Sequence, residues 1–270
     1  MGLQQLCYIQ SPKLWGFYSQ HSVPSLFLHI VTVHVAGDTS PIYTPVDDIT
    51  VQCGFYGNQV KTDDNRYWTG DIKSEFSPIE NQATGRSSIY RQTPYSTARL
   101  SRSEFTYRFP VTTGQKFIRL YFNPASYGPD FDRSKALFSV KAGGFTLLKD
   151  FNSSVTADAS ESDTIYREFC LNVESEQSLN ITFMPSRETV DAYAFINGIE
   201  IVSMPNNLYY TSAQISVGVN YIGSENTFRI DNGTALEMVY RFNVGGRLLV
   251  SNQDTGMYET RMASKMRTST

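Results

Sequence analysis

The chain has 270 residues, of which 40% are hydrophobic and 18% are charged, and its formal net charge is −3. This length and apolar content suit a folded domain with a sizeable core rather than a disordered chain. Lysine and arginine are not in excess, so no broad basic surface is available to neutralise a nucleic-acid backbone.

The first element in chain order is the apolar run "LFLHIVTVHVA" at residues 26–36. It is too short to cross a bilayer as a helix, and its length is typical of the core of a signal peptide. A buried strand is the alternative interpretation. We expect residues 1–42 to form a leader with this candidate signal segment, and no later run is apolar and long enough to predict a membrane helix.

From residue 43 onward, short β-forming runs alternate with turn signals. In "SEFTYRFPV" at residues 103–111, Phe105, Tyr107 and Phe109 alternate with polar residues, as expected for a strand with one buried face. The pattern predicts an all-β fold, an antiparallel β-sandwich of the jelly-roll kind.

Two glycine-containing dipeptides interrupt these runs. Gly143-Gly144 separates "LFSVKA" from "FTLL", and Asn197-Gly198 separates "YAFI" from "IEIV". Both dipeptides suit two-residue hairpin turns that need positive φ angles. We therefore predict a β-hairpin at each position.

A weak internal repeat sets the predicted domain boundaries. Residues 48–71 and 238–261 share a hydrophobic strand, a glycine-containing turn, a polar stretch and an aromatic residue. We predict one domain over 43–207, a linker over 208–235, and an incomplete second domain over 236–270. So short a second unit cannot close a sandwich, so we expect it to pack on the first domain or to remain loose.

Histidine and cysteine usage limits the chemistry. All three histidines precede residue 35, which argues against His-dependent nucleophilic catalysis and His-ligated metal sites in the rest of the chain. Three cysteines, Cys7, Cys53 and Cys170, are too few and too scattered for a zinc cluster. Cys53 and Cys170 could pair or remain buried thiols, and we expect no metal and no cofactor.

Five ordered motifs carry a resemblance to a known family: "YTPVDDITVQCG", "YSTARLSRSEFTYRFPV", "FIRLYFNPASYG", "LFSVKAGGFTLLKDF" and "AYAFINGIEIVSMPNNLYY". They resemble the extracellular malectin-like region of plant receptor-like kinases of the FERONIA and THESEUS group. The resemblance covers about residues 43–260, with a first malectin-like domain complete and a second only begun.

The resemblance implies a non-catalytic recognition module at the cell surface. Full-length relatives continue into a membrane helix and a cytoplasmic kinase, and their reported ligand classes are pectin-like cell-wall carbohydrate and secreted peptides, with a co-receptor as a further partner. This sequence contains no kinase signature such as His-Arg-Asp or Asp-Phe-Gly. A truncated gene product, a partial gene model and a soluble receptor-like fragment all remain open.

Aromatic residues near loops are the candidate sugar contacts, because an aromatic face packs on the apolar side of a sugar ring. The aromatic candidates are Tyr95, Tyr121 and Tyr127, and the carboxylate of Asp191 is a candidate acceptor of hydrogen bonds from sugar hydroxyl groups. Resemblance to animal malectin implies that Tyr95 and Tyr127 lie near its sugar-binding tyrosines, although its Tyr-Phe pair is not in register here. Packing in the core is the alternative for each aromatic residue.

Arg99 is a further candidate, since it lies close in sequence to Arg102 and Glu104. A basic group here could contact an acidic polysaccharide such as pectin. A surface ion pair explains the same residues equally well.

Three Asn-x-Ser/Thr acceptors, at Asn152, Asn180 and Asn232, predict glycosylation and lend modest support to secretion.

Two other functions remain open at this stage. The chain could be a carbohydrate-active jelly-roll enzyme that uses Asp130 and Asp191 as acid and base. It could also be a truncated fragment without a stable function, because its second domain is incomplete.

Overall fold

The computed structural model describes residues 4–9, 43–57, 60–62, 66–80, 82–88, 90–174, 178–206, 208–211, 219–220 and 227–242. Most of the predicted leader, the apolar run at 26–36 included, therefore lies outside the described residues. The same holds for the predicted second domain beyond residue 242.

The regular secondary structure of the described part of the chain consists mostly of strands. Up to residue 122 these are β1 Gln4–Ile9, β2 Asp48–Gln52, β3 Val60–Lys61, β4 Tyr67–Gly70, β5 Ala83–Arg86, β6 Thr97–Ser101, β7 Phe105–Pro110 and β8 Gly114–Phe122. After a 3₁₀ helix at Arg133–Lys135 come β9 Leu137–Ala142, β10 Phe145–Asn152, the helix α1 Ser153–Ala159, β11 Ile165–Val173, β12 Ser178–Pro185, β13 Ala194–Ile196, β14 Gly198–Ser203, β15 Val219–Asn220, β16 Thr227–Phe228 and β17 Leu236–Phe242.

These strands form two facing sheets and two smaller ones. The large sheet has the order β1-β17-β11-β8-β14-β2-β4-β3, and the small sheet has the order β10-β9-β12-β7. A three-stranded sheet, β13-β6-β5, and the pair β15-β16 complete the set. Among the described strands, all pairs are antiparallel except β2 with β4, so the prediction of an antiparallel all-β fold is confirmed.

The core lies between the large and small sheets. On β8, Ile118, Leu120 and Phe122 are fully buried, and the Phe122 ring lies 5.8 Å from that of Phe138 on β9. On β7 the predicted alternation is observed, with the aromatic residues buried and the residues between them more exposed. Burial of each large apolar side chain stabilises the fold by about 1.5–3 kcal/mol.

Of the two predicted hairpins, the first is confirmed and the second is wrong. Ala142 pairs with Phe145, so Gly143-Gly144 is a two-residue turn, with Gly143 at φ +55°. At Asn197-Gly198 the flanking strands do not pair with each other: β13 pairs with β6, whereas β14 pairs with β2 and β8. Asn197 is therefore a corner where the chain passes from the three-stranded sheet into the large sheet.

Cys53 and Cys170 are free, buried thiols. Cys53 belongs to the core cluster between the sheets, while Cys170 packs with Val202 and Tyr210 in a second cluster. Because the two residues belong to separate clusters, the alternative of a disulfide between them is wrong.

The segment that follows the first predicted domain packs on the second cluster, which contains Cys170, Val202 and Tyr210. The Tyr210 hydroxyl donates to the carbonyl oxygens of Cys170, at 3.0 Å, and Thr234, at 2.9 Å. β17 then pairs with β11 through Leu236 and Glu237. The predicted linker thus packs on this cluster through Tyr210, and the start of the predicted second domain adds the strand β17 to the large sheet. No helix among the described residues is long and apolar enough to cross a membrane.

Candidate functional site

A cleft of about 610 Å³ lies where the loop between β5 and β6 meets the end of β2. Two arginines and no carboxylate are among the described residues that line it. We call it the polar cleft, and its lining is Gln52, Phe55, Arg86, Ser87, Ser88, Tyr90, Arg91, Thr93 and Ser96.

The loop over the polar cleft is tied to the large sheet by Gln52, which is 2% exposed. The Gln52 Nε2 donates to Ser96 Oγ at 2.8 Å, and its Oε1 accepts from Thr93 Oγ1 at 3.3 Å. At the outer rim, the Tyr90 hydroxyl donates to Asp163 Oδ2 at 2.7 Å. Polar groups in the wall of the cleft are therefore fixed before any ligand arrives.

The base of the same loop is fixed by Asn197, which is fully buried. Its Nδ2 lies 3.3 Å from the Tyr95 carbonyl oxygen and 2.8 Å from the Thr97 carbonyl oxygen, both of which can accept from it. Its Oδ1 accepts from the Asn123 backbone N–H at 2.7 Å. The next residue, Gly198, packs so closely on the loop that an added Cβ would lie 2.5 Å from the Pro94 Cβ.

Beside the polar cleft, four aromatic residues form what we call the aromatic patch: Trp68, Tyr95, Tyr121 and Tyr166. The Tyr121 ring lies at its centre, 5.4 Å from Trp68, 5.6 Å from Tyr95 and 6.2 Å from Tyr166. Tyr166 is 51% exposed, whereas Trp68 is buried. Burial raises the pKa of Tyr95 to about 12, so its hydroxyl stays protonated at ordinary pH.

A row of charged side chains, all buried except Asp48, runs across the large sheet next to the aromatic patch. Arg119 on β8 donates to Glu168 Oε2 at 2.8 Å and to Glu200 Oε2 at 3.3 Å. Arg66 bridges Glu200 and Asp48. The Arg119 guanidinium lies 5.2 Å from the Tyr166 ring centre. A cation–π contact therefore joins the charge row to the aromatic patch.

The two arginines of the charge row keep Glu200 ionised. Burial alone would raise the pKa of Glu200, but Arg119 and Arg66 outweigh it and lower that pKa below its ordinary value of 4.5. The Tyr121 hydroxyl also donates to Glu200 Oε2 at 2.7 Å. Across the described residues, no group of three or more histidine, cysteine, aspartate or glutamate side chains is placed to hold a metal ion.

Residues 51–260 match the malectin-like domain family. The chain belongs to that family. It is 42% identical over 224 residues to the receptor-like protein kinase FERONIA of Arabidopsis thaliana, covering 81% of this chain and 24% of that protein. The chain therefore spans about a quarter of this curated relative.

Solved structures of malectin-like ectodomains share the fold. The crystal structure of the plant receptor-like kinase FER matches with a TM-score of 0.68 and 41% identity, covering 80% of this chain and 54% of that one. FER in complex with the peptide RALF23 and LLG2 matches with a TM-score of 0.65 and 41% identity, covering 82% and 54%. The ANXUR2 extracellular domain of Arabidopsis thaliana matches with a TM-score of 0.66 at 29% identity, covering 80% and 55%.

In this malectin-like domain, the predicted residues Tyr95 and Tyr121 meet in the aromatic patch and both are half-buried. Tyr127 lies behind them and is only 6% exposed. Its hydroxyl donates to the Asn123 carbonyl oxygen at 2.9 Å and accepts from Asn197 Nδ2 at 2.8 Å. A sugar ring cannot stack on Tyr127 in this arrangement, so the packing alternative describes it better.

Arg99 is not on the surface, in contrast to both sequence interpretations. It is 7% exposed, and its Nε donates to Asp71 Oδ2 at 2.7 Å. Asp71 also accepts from the Tyr107 hydroxyl at 2.7 Å and from the Gly54 backbone N–H at 2.8 Å. The need to pair a buried carboxylate explains this position, since an unpaired buried charge is costly.

Asp191 is exposed but far from the aromatic patch. Ala194 on β13 pairs with Ser101 at the end of β6, so Asp191 lies beyond that end. Tyr95 precedes the opposite end of β6, and the five residues of that strand separate the two groups by about 13 Å or more. The structure therefore does not bring Asp191 together with the aromatic candidates.

Sequence reasoning missed the charge row and the two cleft arginines. One signal for the charge row was present: in "FIRLYF" and "GIEIV", single charged residues stand at alternate positions to apolar ones. This spacing puts Arg119 and Glu200 on the face opposite the core. The register of β8 against β14 pairs these two residues directly.

Proposed function

We propose that this chain is a non-catalytic extracellular recognition module of a receptor-like kinase, and that its polar cleft binds acidic, pectin-like cell-wall carbohydrate. The observation that carries the proposal is that Arg86 and Arg91 both line a cleft whose described lining residues include no carboxylate. Membership of the malectin-like domain family and similarity to receptor-like kinases support the extracellular location.

The chemistry of the polar cleft suits a uronic acid. A guanidinium group binds a carboxylate through two parallel hydrogen bonds, which a neutral sugar cannot provide. Hydroxyl groups of Ser88, Tyr90 and Ser96 supply partners for sugar hydroxyls. Tyr95 lies between the cleft residues Thr93 and Ser96, so the aromatic patch is placed to take the apolar face of a neighbouring ring.

Calorimetric titration with short oligogalacturonides tests this proposal. The same oligomers with their carboxylates methyl-esterified serve as the matched control, because only the charge and its hydrogen bonds differ. We expect the acidic oligomers to bind more tightly and their affinity to fall as salt rises. Equal affinity for the two forms would exclude the arginine mechanism.

A secreted peptide is the second candidate ligand. It is favoured by similarity to FER, which has been solved in complex with the peptide RALF23 and LLG2. Tyr166, half exposed on the aromatic patch, is the kind of residue that anchors protein contacts. Replacement of Tyr166 by alanine should weaken capture of such a peptide, and of a co-receptor with it, if the patch carries that contact.

The alternative of a carbohydrate-active enzyme finds little support in the site. Neither Asp130 nor Asp191 lines the polar cleft, and both are exposed in loops. We expect the protein to release no reducing ends from pectin oligosaccharides.

A further inference from the structure

A second cavity, of about 480 Å³, lies away from the polar cleft. It lies where the β9–β10 turn, the end of β11, the start of β12 and the turn before β17 meet. Its lining includes Phe145, Asn172, Glu174, Asn180 and Asn232. Two of the three predicted glycosylation acceptors therefore lie on the wall of one cavity, although they are far apart in sequence.

Asn180 is presented on an exposed strand face. It is exposed on β12, and its side chain has no hydrogen-bond partner among the described residues. Thr182, which completes the acceptor motif, points to the same side of the strand. The Asn180 carbonyl oxygen accepts from the Gly143 backbone N–H at 3.0 Å, so the turn at Gly143-Gly144, which carries no side chains, lies directly beside Asn180.

Asn232 is presented by a tight turn. Asp231 Oδ1 accepts from the Gly233 backbone N–H at 3.0 Å and from the Thr234 hydroxyl at 3.2 Å, which fixes this turn. Asn232 itself is exposed, and its Oδ1 accepts from Gln115 Nε2 at 3.5 Å. Its Nδ2, the atom that would carry a sugar, has no partner in the described part of the chain.

Asn152, the third acceptor, differs in its surroundings. Its Oδ1 accepts from the Val155 backbone N–H at 3.1 Å and from the Ser154 hydroxyl at 2.9 Å, and so caps the helix α1. It does not line the cavity. It therefore offers an internal control for any effect that depends on the cavity.

We infer that Asn180 and Asn232 carry N-linked glycans whose first sugars sit in the shared cavity. The donor is a lipid diphosphate-linked oligosaccharide: the amide nitrogen bonds to the anomeric carbon, the bond from that carbon to the diphosphate breaks, and the amide loses one proton. A cavity of this size is within the range of about 300–1,000 Å³ that holds small ligands. Phe145 supplies an apolar wall for a sugar face, and Asn172 supplies an amide for its hydroxyls.

This inference rests on the extracellular location in the proposed function, because the transfer takes place in the secretory pathway. It requires nothing of the polar cleft, which lies elsewhere. Oligogalacturonide binding can therefore fail while the glycans are present, and the reverse can also be observed.

The test uses the full chain secreted from a eukaryotic host. Glycopeptide mass spectrometry should find sugar on Asn180 and Asn232. Trimming each glycan to a single N-acetylglucosamine should leave the Tm nearly unchanged, whereas its complete removal should lower the Tm by about 2–4 °C.

Four variants separate seating in the cavity from glycosylation alone. Asn180→Gln and Asn232→Gln should each lower the Tm of the secreted protein, with smaller effects on protein made in bacteria. Phe145→Ala should reduce the Tm difference between glycosylated and bare protein, and Asn152→Gln should leave that difference intact. Unmodified asparagines at both positions, or a Tm that full sugar removal does not change, would overturn the inference.

Discussion

Asn197 Nδ2 donates to the hydroxyl of Tyr127 at 2.8 Å, deep inside the domain. The same Asn197 amide lies within hydrogen-bond distance of the Tyr95 and Thr97 carbonyl oxygens, and so ties the corner after β13 to the loop over the polar cleft. Tyr127, a candidate sugar contact from the sequence, instead helps to position the Asn197 amide that contacts the loop carrying Tyr95. The corner at Asn197 therefore contributes to the site without touching a ligand.

Replacement of Asn197 by alanine should lower the free energy of unfolding by about 2–4 kcal/mol, because several buried polar partners lose their hydrogen bonds. Urea unfolding followed by fluorescence measures this loss. Asn206→Ala, at an exposed position, is the control and should change stability by less than about 0.5 kcal/mol. Similar values for the two variants would refute the role of Asn197.

Gly198→Ala should disturb both stability and the loop over the polar cleft. The added Cβ would lie 2.5 Å from Pro94 and 3.1 Å from the Trp68 ring, so the loop must shift at a cost of about 1–3 kcal/mol. Hydrogen exchange across residues 91–96 should speed up. Gly144→Ala is the matched control, because its Cβ would meet no atom within 4 Å; faster exchange in that variant too would point to a general effect of glycine replacement.

Asp71→Asn should cost about 3–5 kcal/mol, because it leaves the buried Arg99 guanidinium without its carboxylate. Asp130→Asn, at an exposed position, should be nearly neutral. Chemical denaturation of both variants checks the contrast. A neutral Asp71→Asn variant would mean that Arg99 is not held as the structure shows.

Stability should fall in acid, and Glu200 should carry part of that fall. Arg119 and Arg66 lower the folded-state pKa of Glu200 despite its burial, so its contribution is present above its unfolded value of 4.5 and is lost as the pH drops through the lower folded value. Asp47 acts in the same sense. Burial raises its pKa, but hydrogen bonds from Thr112 and Ser203 outweigh burial and lower the pKa below its ordinary value of 3.8.

Unfolding free energies of wild type and Glu200→Gln, measured from about pH 6 to about pH 3, test this dependence. The variant should be less stable at the upper end and should show a shallower decline. An equally steep decline in both proteins would assign the acid sensitivity to other carboxylates.

The strand pattern of this chain could be predicted because it depends on local alternation. The residues of "SEFTYRFPV" show a period of two, and their burial in β7 follows it. The hairpin at Gly143-Gly144 is equally local. The one expected at Asn197-Gly198 failed because strand partners are chosen by the whole sheet: β13 and β14 each find other partners.

The site was harder to predict because it depends on contacts between distant residues. Arg66 and Glu200 are 134 positions apart in sequence, yet their side chains pair. Arg99 lies close in sequence to Arg102 and Glu104, which indicated a surface position, and only the fold shows that it contacts the buried Asp71 carboxylate. Arg86 and Arg91 belong to no motif, and only the fold shows that both line one cleft.

The most direct test of the proposed function is the affinity of the Arg86→Ala/Arg91→Ala double variant for a short oligogalacturonide. Arg108→Ala, which removes one exposed arginine from β7 on the small sheet, is the control for loss of positive charge outside the polar cleft. We predict that the double variant loses at least about tenfold in affinity, equivalent to about 1.4 kcal/mol, while its Tm and the affinity of the control stay at wild-type values. Wild-type affinity in the double variant would contradict the assignment of the polar cleft as the binding site.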